Sequence, residues 1–172
     1  YKRRQHEIKM QPVDFMTLFN EMVASGDIET AEAAELRKHT PREIKRSFLT
    51  LIETIGAGQF GQVWKGLLDE SPTGGAPGYL VAAKTVIASE ASQEATHELQ
   101  SEALVMAQVG SHTNLVSLVG VVTRGDPLVV IISYCEHGSL LLLLRKRAKE
   151  RSPLEIEAKL KIGLETACGM QH

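Results

Sequence analysis

The stretch Ile55-Gly56-Ala57-Gly58-Gln59-Phe60-Gly61-Gln62-Val63 decides the fold. Its three glycines keep the GxGxxG spacing, which lets backbone N–H groups approach phosphate oxygens without interference from Cβ and tolerates the φ > 0 conformations of a tight turn. Two architectures use such a loop. A dinucleotide-binding unit needs a strand before the glycines and a helix opening on them, with the pyrophosphate at the helix N-terminus. Phe48-Leu49-Thr50-Leu51-Ile52 supplies a strand, but the loop is followed by Gln62-Val63-Trp64-Lys65-Gly66-Leu67-Leu68 and then by the turn-forming Asp69-Glu70-Ser71-Pro72-Thr73-Gly74-Gly75. A short β-branched and aromatic run of this kind predicts a second strand. The glycines then sit at the tip of a hairpin lid.

Downstream, Tyr79-Leu80-Val81-Ala82-Ala83-Lys84-Thr85-Val86 reads as a third strand with a lysine inside an apolar run. Such a lysine is either an edge residue whose amine reaches water or a buried cation with an anionic partner. A helical run from about Glu90 to Val109 follows, with Leu99, Ala103 and Met106 on one face and Glu102 on the flank that packs on the sheet. Glu94 and Glu98 read as solvated. Arg124-Gly125-Asp126-Pro127 reads as a turn, and Leu128 to Ile132 as a buried strand. Ser139 is placed to cap a helix running through Leu140-Leu141-Leu142-Leu143-Leu144 into Arg145-Lys146-Arg147. Five successive leucines cannot all face one core, so some must meet another element or a partner. Beyond Ser152-Pro153, Leu160, Leu164, Ala167 and Cys168 keep helical spacing within the run Leu154 to Met170.

The rest of the chain sets bounds. Its 172 residues suffice for the core of one domain, and a formal net charge of −2 with pI near 6.3 gives no basic excess for nucleic acid. Cys135 and Cys168 have neither a CxxC partner nor a histidine cluster at ligand spacing; this points to a reduced compartment, buried thiols and no metal site. His137, likewise without a ligand-spaced partner, reads as a solvated loop residue. No run of about 18 apolar residues occurs. The beginning, Tyr1-Lys2-Arg3-Arg4-Gln5-His6-Glu7-Ile8-Lys9, suits equally the cytoplasmic flank of a membrane span and a solvated charge run. Phe15, Leu18, Phe19, Met22 and Val23, between Asp14 and Gly26, predict an amphipathic helix whose stripe suits simple packing, docking on the following domain as a regulatory segment, or lying against a bilayer, and Thr30 to Lys38 predicts a second helix. Pro41-Arg42-Glu43-Ile44-Lys45-Arg46 reads as the linker into the first strand.

Taken in order, these blocks resemble the amino-terminal lobe of a protein kinase. The glycine stretch is similar to the kinase glycine loop and Val81-Ala82-Ala83-Lys84 to the V-A-I-K strand, with Ala83 where a larger aliphatic is usual. Glu102-Ala103-Leu104-Val105-Met106 and His112-Thr113-Asn114-Leu115-Val116-Ser117-Leu118-Val119-Gly120-Val121 resemble the central helix and the fourth strand of tyrosine kinases. Ser133-Tyr134-Cys135-Glu136-His137-Gly138-Ser139-Leu140 resembles their hinge.

The resemblance implies an α+β fold: a five-stranded antiparallel sheet with one main helix, then the first helices of an incomplete helical lobe. It implies a juxtamembrane-like segment at 1–46, the amino-terminal lobe at 47–133, a hinge at 134–138 and the start of the carboxy-terminal lobe at 139–172. ATP is the implied cofactor. Ile55, Gly56, Ala57, Gly58, Gln59, Phe60 and Gly61 would cover its phosphates, Lys84 would contact the α- and β-phosphates, and Glu102 would hold Lys84. Val63 and Ala82 would flank the adenine, Ile132 would be the gatekeeper, and the Ser133, Tyr134 and Cys135 backbone would bond the adenine edge. The partners implied are ATP and a protein substrate carrying tyrosine, in a receptor that dimerises and has a membrane span beside the basic beginning, with the kinase on the cytoplasmic side; the alternatives are a cytosolic kinase, a serine/threonine kinase and a nucleotide-binding pseudokinase module. No H-R-D-x-x-x-x-N, D-F-G or A-P-E motif occurs in the 172 residues, so the catalytic base and the Mg²⁺-binding side chains are expected elsewhere in a longer protein. The missing initiator methionine and the stop within a helix fit a fragment, and the chain alone is expected to be inactive.

Overall fold

A computed structural model of the chain describes residues 17, 20, 23–26, 40–58, 61–86 and 93–172. Five strands form one antiparallel sheet: β1 (Leu49–Ala57), β2 (Gly61–Leu68), β3 (Tyr79–Val86), β4 (Leu118–Val122) and β5 (Val129–Ser133), in the spatial order β1-β2-β3-β5-β4. Among the described residues the sheet is accompanied by the helices α1 (Gln93–Val109), α2 (Leu140–Lys149) and α3 (Ile156–Gln171). The segment after the glycines is a strand, as its β-branched composition predicts, and it pairs with β3 without a break from Gly61↔Val86 to Leu68↔Tyr79.

The core divides by the period-2 alternation of the strands. On one face Val86, Val121 and Val130 pack with Ala95, Leu99, Ala103 and Leu104 of α1. On the other, Leu68, Val81, Ala83, Val122, Val129 and Ile131 pack with Ile44. Burial of β3 on both faces explains its nearly continuous apolar run. Lys84 shares parity with Val86 and so points to the α1 side. Since β3 is the middle strand, Lys84 is not an edge residue; of the other reading the anionic partner is present and the burial is only partial.

The segment expected to be a linker has a structural task. Glu43 makes a parallel bridge with Val121, Ile44 N–H donates to Val121 C=O at 2.7 Å, and Val121 N–H donates to Arg42 C=O at 2.8 Å. The strap thus covers the free edge of β4, which would otherwise expose unpaired backbone groups. Both Glu43 carboxylate oxygens are used: Oε1 accepts from Thr123 N–H at 2.9 Å and Oε2 from the Thr123 hydroxyl at 3.0 Å. Gly120 is required here because a Cβ would lie 2.4 Å from Arg42 C=O. Two residues beyond Ile44, Arg46 donates to the carbonyls of Arg124, Gly125 and Pro127 and ties down the turn between β4 and β5. Burial lowers its guanidinium pKa, opposed by Asp126 and Glu43, yet arginine stays charged.

At the amino end Val23 packs against the α1-side core, in line with a stripe that docks on the following domain. Phe15, Leu18, Phe19 and Met22 of that stripe, and the helix expected at 30–38, lie outside the described residues. The cysteines depart from expectation, for both Cys135 and Cys168 are exposed. Cys168 shares α3 with exposed Leu160 and Leu164; the spacing there is helical, but the buried residue is Gly169, which packs on Asn114 and Leu115. No helix among the described residues is long and apolar enough to cross a membrane.

Candidate functional site

The hairpin tip closes through Gly58 N–H, which donates to Gly61 C=O at 2.9 Å; Gln59 and Phe60, between them, lie outside the described residues. The three glycines have different reasons to be there. None of them has φ > 0, so the expected turn conformation is not what selects them. A Cβ at Gly61 would meet Thr85 C=O at 2.6 Å, because β2 and β3 run closely paired at that point. Gly58 has nothing within 4 Å of the Cβ position, and Gly56 only an ordinary 3.7 Å contact with Val63. Sheet packing therefore explains Gly61 and leaves a smooth, unobstructed backbone at Gly56 and Gly58.

Beneath this hairpin lies a cleft of about 390 Å³. Gly56, Ala57, Gly58, Gly61, Val63, Lys84 and Glu102, all singled out in the sequence, come together in its wall. Val63 stands opposite Lys84 in the β2–β3 register, so the two side chains share a face. From α1, Glu102 accepts from Lys84 through Oε2. The pair is only part-shielded, with side-chain exposures of 36 % for Lys84 and 44 % for Glu102, which keeps the ammonium in reach of an entering anion.

Thr85, Val86, Ala95, Glu98 and Leu99 complete the wall and were not singled out as site residues. Helical spacing from Glu102 carries the signal for three of them: Ala95, Glu98 and Leu99 lie seven, four and three residues before it. Glu98, expected to be merely solvated, is exposed and also faces the cleft, which gives the site two carboxylates one turn apart beside one cation.

Ile55, Ala82, Ile132, Ser133, Tyr134 and Cys135 stand outside that wall. Ile55 falls where the β1–β2 register shifts between Thr54 and Gly56, an irregularity that re-aims a side chain, and it is exposed. Ala82 pairs with Ile132, and Ile132 with Leu118, in a row two residues along β3 from Lys84. That offset is roughly 7 Å at the rise of a β-strand. Ser133 N–H donates to Ser117 C=O at 2.9 Å, its hydroxyl accepts from Ser117 N–H at 3.0 Å, and Cys135 C=O accepts from Gly138 N–H at 3.1 Å. Tyr134 has the Lys65 ammonium 5.5 Å from its ring centroid, so its side chain is engaged with β2. Among the described residues no group of three or more His, Cys, Asp or Glu side chains is arranged to hold a metal ion.

An antiparallel sheet with a glycine hairpin over a lysine, the lysine paired to a glutamate on a packed helix, defines a protein kinase amino-terminal lobe. The chain belongs to the protein tyrosine and serine/threonine kinase family, whose profile matches residues 49–172. It is similar to ephrin type-B receptor 5 of Gallus gallus, 37 % identical over 131 residues that cover 76 % of this chain and 12 % of that protein. Ephrin type-B receptor 1 of Gallus gallus is 36 % identical over 131 residues, again 76 % of this chain and 12 % of the relative. Macrophage colony-stimulating factor 1 receptor of Mus musculus is 36 % identical over 111 residues, covering 62 % of this chain and 11 % of that receptor. The chain thus spans about a tenth of the length of the relatives it matches.

Proposed function

We propose that this chain is the ATP-binding part of a receptor-type protein tyrosine kinase, which as a whole transfers the γ-phosphoryl group of ATP to protein tyrosine. The observation that carries the reading is the Lys84–Glu102 pair in the wall of the cleft beneath the glycine hairpin. A triphosphate fits that arrangement: it needs a cation held at fixed height, a backbone lid free of Cβ atoms at Gly56 and Gly58, and little covalent chemistry from the protein. Lys84 neutralises phosphate charge, Glu102 positions Lys84, and Val63 with the Ala82–Ile132 row offers the flat apolar surface an adenine ring requires. The offset between the Lys84 row and the Ala82 row is of the order of the separation between a phosphate chain and its base. In the hinge, the Ser133 to Cys135 backbone is the adenine edge in this reading.

Magnesium in kinases neutralises charge building on the β- and γ-phosphates. We assign its protein ligands, and the base that accepts the substrate hydroxyl proton, to the catalytic-loop and D-F-G motifs of a complete kinase domain, so that residues 1–172 alone bind nucleotide weakly and transfer nothing. In this reading, 1–46 is a juxtamembrane segment, 47–133 the amino-terminal lobe, 134–138 the hinge and 139–172 the entry to the carboxy-terminal lobe. The receptor names of its relatives support a place on the cytoplasmic side of the plasma membrane and dimerisation of the parent.

Titration of the chain with a fluorescent ATP analogue tests the nucleotide part. Saturable binding, weakened at least about tenfold by Lys84→Met, is expected; equal binding by the variant refutes the assignment. Phosphoamino-acid analysis of the complete kinase domain tests the rest: phosphotyrosine is expected, phosphoserine as the main product makes it a serine/threonine kinase, and no product makes it a nucleotide-binding signalling module.

A further inference from the structure

The leucine run that opens α2 resolves into two faces. Leu140, Leu143 and Leu144 fall at i, i+3 and i+4 on one side; Leu143 is half-buried, while Leu140 and Leu144 stay exposed at 44 % and 43 %. Arg147, one turn beyond Leu143 on that side, donates to Ser152 Oγ at 3.3 Å. Leu141 and Leu142 are left over on the other side. They are the most exposed of the five, at 55 % and 62 %.

Further along, the same side of α2 turns cationic. At roughly 100° per residue, Arg145 stands one turn beyond Leu141, Lys146 one turn beyond Leu142, and Lys149 one turn beyond Arg145. The outer face therefore carries two leucines and then three cations. Among the described residues no carboxylate pairs with any of the three cations. The charge is local, since Arg145, Lys146, Arg147, Lys149 and Arg151 face a single acid, Glu150, in a chain whose formal net charge is −2.

We propose that this outer face of α2 docks on an anionic lipid bilayer, with Leu141 and Leu142 entering the boundary between headgroups and acyl chains and Arg145, Lys146 and Lys149 against lipid phosphates. Charge complementarity and the leucines point to the same occupant. Long cationic side chains reach up from an immersed helix to the headgroup level while their stems stay in apolar surroundings. A lipid surface accepts leucines and cations on one convex face with no shaped pocket. A protein groove is a poorer match, because the face has no aromatic residue and is rich in lysine, a residue depleted from protein interfaces. Two leucines bury little area, so the attachment is weak and reversible, and its electrostatic part falls with salt. The inference is independent of nucleotide binding, since none of these residues lines the cleft.

Co-sedimentation of the full chain with vesicles tests it. Binding to phosphatidylcholine vesicles containing about one-third phosphatidylserine, and not to pure phosphatidylcholine, is expected. Leu141→Ser with Leu142→Ser should weaken it about tenfold, and Arg145→Gln with Lys146→Gln and Lys149→Gln on the order of a hundredfold. All five side chains are exposed, and circular dichroism matching that of the unsubstituted chain confirms that both variants fold. Hydrogen exchange on the unsubstituted chain gives a readout free of mutation, with amides of α2 slowed when anionic vesicles are added. Failure to bind, binding unchanged in both variants, or no slowing in α2 overturns the proposal. Capture by polyglutamate that survives loss of the leucines also overturns it and makes the face a site for acidic protein.

Discussion

A Cβ at Gly61 would stand 2.6 Å from the carbonyl oxygen of Thr85, the residue before Gly61's register partner Val86 on the neighbouring strand. The contact is backbone on one side and cannot rotate away, so Gly61→Ala must spread β2 from β3. A loss of about 1–3 kcal/mol is expected. At this chain length that lowers the melting temperature by several degrees.

Gly58→Ala should behave in the opposite way. With open space around the Cβ position and φ outside the left-handed region, the substitution leaves stability unchanged or raises it by up to about 1 kcal/mol through the unfolded state. Its effect belongs to the lid, and weaker binding of the ATP analogue at unchanged melting temperature is the expected pattern. Thermal melts and nucleotide titration of both glycine variants separate the two roles.

Glu102→Gln should lower nucleotide affinity while costing little stability. The Lys84–Glu102 pair is more than one-third exposed on both sides, and pairs of that kind contribute about 0–1 kcal/mol. A loss of several kcal/mol in urea unfolding would mean that the pair holds the fold together instead of positioning an ammonium.

Docking of the strap rests on Glu43. Replacing it by alanine leaves Thr123 N–H and its hydroxyl, both part-buried, without their acceptors, for a cost of about 1–3 kcal/mol. Amide exchange should then accelerate at Ile44 and Val121, whose N–H groups join the strap to β4.

Asp69 supplies a pH test. A side-chain hydrogen bond to Ser71, and then the Ser71 backbone N–H at 3.0 Å, lower its pKa below the ordinary carboxylate value. Because the folded pKa is the lower one, this contribution is present above the unfolded value and disappears as pH falls through the folded value. Carboxyl chemical shifts should show Asp69 titrating below a model peptide, and Ser71→Ala should move it back up.

How much was legible in the sequence depends on how local each signal is. The hairpin, the run Tyr79 to Val86 and the helix ending at Val109 are written in short-range composition and periodicity, and all three stand where the residues put them. Less local features were missed. The left-handed glycines expected in the loop are absent, since close strand pairing is what demands Gly61. The supposed linker at 41–46 seals the β4 edge, because an edge exists only once the strand order is set. Glu98 is solvated as its segment suggests, but nothing in that segment shows that it also lines the cleft beneath the hairpin. Cys135 and Cys168 looked buried on composition alone, yet both are exposed.

The sequence by itself determined that a glycine hairpin, a strand carrying Lys84 and a helix carrying Glu102 succeed one another, since alternation and helical period are properties of neighbouring residues. Only the tertiary structure decided that β3 lies in the middle of the sheet, which turns Lys84 from a surface lysine into the paired cation of a cleft. Strand order is fixed by which apolar faces bury one another across the sheet, and that choice is made between segments far apart in the chain.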